Sequence, residues 1–213
     1  MVASLSRPAL TDAVVVPMRR RHLRGVLAIE HVVYPRPWSP ALFVTELGQR
    51  RDRRYVVALA AHGARPPPWP RRLVVGYAGV LMQVGEAHVT TVAVHPRHHR
   101  RKVASRLLVA VLAEARALGA EAATLEVRVN NRGAQRLYGG FGFVPVGIRP
   151  GYYAETGEDA LIMWAHGLQS EDFAARLRAQ RARLEAPGGS SGAPDLHVPW
   201  VQGRVGLDAA PEG

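Results

Sequence analysis

Two stretches of this chain carry residue types and spacings that could do chemistry. In the first, Thr124-Leu125-Glu126-Val127 sets a carboxylate in an otherwise apolar strand, Asn131 opens the helix that follows, and Tyr138 lies within that helix. A carboxylate is costly to bury without partners. Glu126 is therefore either a base in a cleft or an outward-facing residue of a strand whose side chains alternate. Tyr138 by itself reads as a core aromatic with its hydroxyl satisfied. In the second stretch, Val92–Leu108, a strand runs through a basic loop, Arg97–Lys102, into a helix. The free N–H groups at a helix start, with the dipole behind them, attract anions, and Arg100, Arg101 and Lys102 add charge at the same place. Neither a Walker A loop nor a dinucleotide glycine fingerprint is present. A phosphate site and a solvated basic turn both fit these residues.

Other clusters read more plainly. His95, His98 and His99 invite a metal reading, but a His-Glu-x-x-His pattern and further ligands at helical spacing are absent, so no metal is expected. The run Arg50–Arg54 reads as a solvated helix end.

The elements that must position these residues follow from periodicity and stop signals. Ala13–Met18 is a short β-branched run and reads as a strand. Arg20–Tyr34 has helical spacing and is stopped by Pro35 and Pro37. Ser39-Pro40 is an N-cap and first-turn pair for a helix through Gly48. Strands are expected at Arg54–Ala61, Leu73–Gln83, Ala87–Val94, Ala122–Val129, Phe143–Ile148 and Ala160–His166. Between the second and third, Gly63–Pro70 holds four prolines and reads as a stiff loop. The clearest helix carries Val103, Leu107, Leu108, Val111, Leu112 and Ala115 on one stripe and ends at Gly119. A short helix spans Asn131–Gly139. The expectation is a mixed α/β domain over residues 13–168, with a flexible 1–12 before it. Residues 169–213 should hold a further helix, from Ser170, and a disordered tail, because Pro187–Gly213 has six glycines and four prolines.

Composition bounds the function. The chain has 213 residues, 47% hydrophobic and 21% charged, which suits one globular core. Zero cysteines exclude disulfides, thiolate metal sites and a cysteine nucleophile. There is neither an apolar run of spanning length nor a signal-type stretch at the amino end, so a cytoplasmic protein with no membrane partner is expected. The net charge is +11, and 27 of the 28 cations are arginine, Lys102 being the exception. Such a field either solubilises the surface or draws a polyanionic partner.

The order of these motifs resembles the GCN5-related N-acetyltransferases. The match is carried by Thr90–Val94 with His95-Pro96, the basic loop and the long helix, then by Leu125-Glu126-Val127-Arg128, Asn131, Ala134 and Leu137-Tyr138. Gly142-Phe143, Gly151-Tyr152-Tyr153, Glu158-Asp159-Ala160 and Pro37-Trp38-Ser39 complete it. It covers about Val14 to Leu168 and most resembles the members that acetylate the N-terminal alanine of a ribosomal protein. The resemblance implies a single, mostly antiparallel sheet of about seven strands flanked by about four helices. It implies acetyl-CoA as co-substrate, Glu126 as general base through water, and Tyr138 as the acid at the leaving thiolate. Backbone groups of Val92, Ala93 and Val94 and of Arg100, Arg101, Lys102, Val103, Ala104 and Ser105 would bind the cofactor, with help from Asn131. The Gly151–Asp159 segment, joining the last two strands, would shape the peptide groove. The acceptor implied is a protein N-terminus, with a ribosome contact through the basic surface and no direct nucleic-acid function. Other protein termini, lysines or a small amine are the alternative within the class. A catalytically idle ribosome- or RNA-binding module is the alternative outside it, and the intact Glu126, Asn131 and Tyr138 argue against that.

One departure stands out. The family's phosphate loop reads Gln/Arg-x-x-Gly-x-Gly/Ala, and here it is His99-Arg100-Arg101-Lys102-Val103-Ala104. Glycine at the central position lets the backbone approach a pyrophosphate closely. Lysine keeps its backbone N–H available if φ stays helical, its side chain turning outward or reaching a phosphate. The expectation is that its charge compensates for the lost closeness.

Overall fold

The computed structural model describes residues 13–60 and 73–186. The expected flexible 1–12, the loop Gly63–Pro70 and the tail Pro187–Gly213 lie outside the described residues. Seven strands form one sheet in the order β1-β2-β3-β4-β5-β7-β6. They are β1 Ala13–Pro17, β2 Arg53–Ala60, β3 Val74–Gln83, β4 Glu86–Val94, β5 Ala122–Arg128, β6 Val144–Tyr153 and β7 Glu158–His166. All neighbours are antiparallel except β4 and β5. The helices are α1 Leu23–Val33, α2 Pro40–Gly48, α3 Val103–Ala117, α4 Arg132–Gly139 and α5 Glu171–Glu185. Among the described residues no helix is long and apolar enough to cross a membrane.

The central strands are covered on both faces, and alternation sorts their side chains. Val56, Ala58 and Ala60 of β2 join the cluster formed with α3, α4 and α5. Tyr55, Val57 and Leu59 join the one formed with α1 and α2. That is why β2 reads as a continuous apolar run rather than an alternating one. The stripe predicted on α3 is the centre of the first cluster: Leu107, Leu108, Val111, Leu112 and Ala115 are fully buried. Each such large aliphatic side chain contributes about 1.5–3 kcal/mol. Gly76 of β3 lets α3 lie this close. A Cβ there would meet the Ala93 carbonyl at 2.8 Å and Leu107 at 3.1 Å.

The α1–α2 connection is pinned from inside. Glu30, fully buried on α1, accepts from the Trp38 backbone N–H at 2.6 Å and from the Tyr77 hydroxyl. Ser39 Oγ accepts from the Leu42 N–H at 3.2 Å, with Pro40 in the first turn, and so caps α2 as expected.

Two expectations are corrected. β6 extends to Tyr153 and β7 begins at Glu158, so most of Gly151–Asp159 is strand and only residues 154–157 turn the chain. The strand continues past Pro150 because β6 is an edge, where a missing N–H is tolerated. Gly151, at φ +59, lies within the register shift between Arg149 and Tyr153. The run Arg50–Arg54 is not simply a solvated helix end either. Arg53 and Arg54 open β2, their guanidinium Nε atoms 3.3 Å from Glu46 and 3.7 Å from Glu114.

Candidate active site

The site begins with a parting of strands. β4 and β5 pair only from Glu86↔Ala122 to His88↔Thr124. Two residues further along β4 the register against β3 shifts, leaving Thr90 as an extra residue between Val89↔Val80 and Thr91↔Gly79. A bulge bends the strand that carries it, and beyond it β4 and β5 diverge. The β5-facing backbone edge of β4 through Val92, Ala93 and Val94 is thus free of a partner strand. The Val94 carbonyl is met by His99 Nε2 at 3.0 Å.

Glu126 stands on β5 just beyond the last parallel pair. Leu125 and Val127 face the α3 side, so alternation turns Glu126 to the other face, where it is 7% exposed. His88 Nε2 lies 3.1 Å from Glu126 Oε2, and an Arg149 guanidinium nitrogen lies 3.5 Å from Oε1. The His88 contact is close without the alignment of a hydrogen bond. His88 Nε2, Glu126 Oε2 and Asn131 Nδ2 are three of the four buried side-chain polar atoms that lack a hydrogen-bond partner among the described residues. Each such atom costs about 1–3 kcal/mol. His88 and Glu126 stand as a close pair, and the Asn131 amide nitrogen is left to a further acceptor.

Asn131 caps α4, its Oδ1 accepting from the Ala134 N–H at 3.0 Å. Its amide nitrogen is left over. Tyr138, on the same helix, is 2% exposed and packs edge-on against Phe143 at 6.0 Å. Burial, and then the phenol of Tyr34, push its pKa above the ordinary tyrosine range. Tyr34 belongs to the cluster on the opposite face, where its hydroxyl meets Thr91 Oγ1 at 2.9 Å. Tyr153 closes the group. Burial raises its pKa, Arg128 pulls it down, and Tyr138, Tyr152 and Glu126 push it up. The Arg128 guanidinium lies 3.8 Å from the centre of the Tyr153 ring and pairs with Glu155 at 2.7 Å and Glu158 at 2.9 Å. This ties the β6–β7 turn to β5.

The basic loop lies at the other end of the free β4 edge. Helix α3 starts without a side-chain cap and without an acidic residue in its first turn, which leaves its N–H groups and dipole to an anion. Arg100 and Lys102 adopt φ of 59° and 56°. The condition of a helical φ at Lys102 is therefore not met. The residue holds the left-handed conformation that glycine takes without strain, so the backbone path is the glycine path. Its Nζ donates to the Arg183 carbonyl at 3.2 Å, and Arg106 donates to the Leu184 carbonyl at 2.7 Å. The lysine side chain reaches the end of α5 rather than standing free for a phosphate.

Glu126 lies on β5, Asn131 and Tyr138 on the α4 that follows it, Val92–Val94 at the end of β4, and Arg100–Ser105 at the start of α3. These residues fit an acyl-CoA: a free strand edge and a spare amide for its amide-rich arm, a cationic helix start for its phosphates. Sequence reasoning missed His88, Arg149 and Tyr34. Only the parallel pairing His88↔Thr124 sets His88 diagonal to Glu126, and that pairing has no local signal. The three loop histidines have separate local roles. His95 Nδ1 accepts from the Arg97 N–H at 3.2 Å, His98 packs on the His95 ring at 6.0 Å, and His99 meets Val94.

Residues 23–143 match the model of the acetyltransferase (GNAT) family. A Bacillus subtilis (strain 168) protein, provisionally named as a ribosomal protein bS18-alanine N-acetyltransferase, is 33% identical over 154 residues, 72% of this chain and 95% of its own. N-alpha-acetyltransferase RimI of Mycobacterium tuberculosis (strain ATCC 25618 / H37Rv) is 37% identical over 132 residues, 60% of this chain and 74% of its own. The crystal structure of the ribosomal-protein-S18-alanine N-acetyltransferase from Escherichia coli superposes with a TM-score of 0.60 at 25% identity, over 73% of this chain and 94% of its own.

Proposed function

This chain belongs to the acetyltransferase (GNAT) family, and we propose that it moves an acetyl group from acetyl-CoA to the α-amine of an N-terminal alanine, the acceptor being ribosomal protein bS18. The acceptor comes from the names of the relatives. The observation that carries the reaction is the buried Glu126 carboxylate, with one oxygen unpartnered beside His88, where β4 and β5 part.

An α-amine has a pKa of about 7.7–8.0 and a lysine amine about 10.4. The α-ammonium therefore gives up its proton to a carboxylate near neutral pH far more readily. Glu126 Oε2 accepts that proton, directly or through one water, and leaves a neutral amine as nucleophile. His88 and Arg149 flank the two carboxylate oxygens and hold the base in place. Acetyl-CoA, when bound, supplies the thioester carbonyl that the amine attacks and a thiolate leaving group. Val92, Ala93 and Val94, the Asn131 amide and the loop Arg100, Arg101, Lys102, Val103, Ala104 and Ser105 would hold it. A thiol is a stronger acid, at about 8.5, than a phenol whose pKa lies above the ordinary range. Tyr138 thus stays protonated and offers its O–H to the sulfur as negative charge develops, a donor aimed at the transition state, while the attacking nitrogen releases its second proton to solvent and the departing thiolate takes one up. No covalent enzyme intermediate is required, in keeping with a chain that has no cysteine.

The test is acetyl transfer read by mass spectrometry, with peptides differing in first residue and in lysine content. The expected product is acetylated only on the α-amine of Ala-initiated peptides, and Glu126→Gln lowers kcat/KM by about 10²–10⁴. Acetylation of lysine side chains, or an undiminished variant, would overturn the assignment.

A further inference from the structure

At the opposite end of the sheet from the loop Arg97–Lys102 lies a cleft of about 690 Å³ whose walls include Arg19, Arg20, Arg50, Arg53 and Arg54. The antiparallel register Pro17↔Val56 brings together the runs Arg19–Arg21 and Arg50–Arg54, which are remote in sequence. Two of the five guanidiniums are stationed. Arg53 is held by Glu46 at 3.3 Å and Gln49 at 3.3 Å, and Arg54 by Glu114 at 3.7 Å and the Arg53 carbonyl at 2.9 Å. Arg19, Arg20 and Arg50 are exposed and make no ion pair with a described carboxylate. The single carboxylate lining the cleft, Glu46, also accepts from the Tyr55 hydroxyl at 2.6 Å. The cleft is therefore strongly cationic. His22, buried beside it, has its pKa lowered by burial and then by Arg21 and Arg19.

We propose that this cleft is a docking site for the phosphodiester backbone of RNA, separate from the acetyl-transfer site. Arginine's planar fork gives two N–H donors to one phosphate, and here three unpaired forks come from two backbone segments around one concavity. A protein partner fits less well, since protein interfaces are anchored by exposed aromatic or large apolar side chains. None of the exposed large apolar residues lines this cleft, and Tyr55, its aromatic, is 6% exposed. The family resemblance implies no direct nucleic-acid function, with an idle RNA-binding module as the alternative, and the run Arg50–Arg54 taken alone reads as a solvated helix end. The convergence of the two arginine runs is a property of the sheet. The proposal stands apart from the transferase reading, and one can fail while the other stands.

The experiment uses the full chain and a fluorescein-labelled, mixed-sequence 20-nucleotide single-stranded RNA, with binding followed by anisotropy across a salt series. Arg19→Gln/Arg20→Gln/Arg50→Gln should weaken binding at least about tenfold at 0.1 M salt. It should also flatten the log–log salt slope by about 2, since each lost phosphate contact removes about 0.7. Its peptide acetylation should be unchanged, which also establishes that it folds. The charge-matched control Arg178→Gln/Arg181→Gln/Arg183→Gln, on the exposed face of α5, should bind RNA nearly as the parent does. Equal losses in the two triple variants, an unchanged slope in the first, or equally tight and equally Arg19-dependent binding of a polyglutamate peptide of matched charge would overturn the proposal.

Discussion

At the scale of single residues, the site is defined by side chains asked to do two things at once. Asn131 caps α4 with its oxygen and leaves its nitrogen unpartnered. Asn131→Ala should lose about 1 kcal/mol of stability with the cap. Asn131→Asp keeps an accepting oxygen but removes the donor, so it should retain most of that stability and still weaken acetyl-CoA binding. Denaturant melts and calorimetric titration separate the two effects, and undiminished acetyl-CoA binding by Asn131→Asp would reduce Asn131 to a cap. Lys102 is double-duty in the opposite sense, with a left-handed backbone and a side chain engaged on α5. Both Lys102→Ala and Lys102→Gly delete the side-chain contact, but glycine alone relieves a backbone strain of about 1–2 kcal/mol. Lys102→Gly should melt above Lys102→Ala by about 1 kcal/mol of stability. A reversed order would mean that the loop does not hold this conformation in solution.

At the scale of elements, α5 joins the two helices that border the cleft. Ser170 caps its start, accepting from the Phe173 N–H at 3.2 Å, and Phe173 is 2% exposed in the α3 cluster. Gln169 donates to the Ala120 carbonyl at 2.8 Å, Gln180 to the Gly140 carbonyl at 2.6 Å, and Lys102 and Arg106 reach the carbonyls of α5's last turn. The helix therefore runs antiparallel to α3 and braces the basic loop from behind. Cations belong at a helix's C-terminal end, where the dipole is negative, so the contact steadies both parts. Phe173→Ala should cost about 3–5 kcal/mol. It should also raise amide exchange at Lys102–Arg106 together with that of Glu171–Glu185. Exchange rising in α5 alone would show that the carbonyl contacts do not couple the helix to the loop.

At the scale of the whole molecule, buried histidines in a positive field make stability depend on pH. His22, His95 and His98 have pKa values below the ordinary histidine range, each through burial first and then through arginines and other histidines nearby. Two of them use Nδ1 as an acceptor, His22 from the Arg19 N–H at 3.1 Å and His95 from the Arg97 N–H at 3.2 Å, and protonation at Nδ1 abolishes that role. With folded pKa values below the unfolded value of about 6.5, the unfolded chain binds more protons between the two, and stability rises with pH there. Unfolding free energy should fall as pH drops from about 7 through 6.5, then level off below the folded values of these groups. Denaturant melts at stepped pH should show this slope, and His22→Gln/His95→Gln should flatten it. A slope unchanged in that variant would trace the acid sensitivity to other groups.

Local signals were enough for most of the architecture. The α3 stripe, the Ser39 cap, the β-branched strands and the glycine and proline stops each act within a few residues, so the order of strands and helices is legible in the chain. So are Glu126, Asn131 and Tyr138 as a group, because a short strand–turn–helix carries all three. Pairing across the sheet decided the rest. The bulge at Thr90 and the parting of β4 from β5 depend on register between segments that carry no mark of it. So does the placing of His88 beside Glu126. The left-handed turn at Lys102 and its tie to α5, and the meeting of two arginine runs at one cleft, are likewise products of long-range packing. Side-chain type is written locally, but which side chains face one another is settled only when distant strands choose a register and bury their faces together.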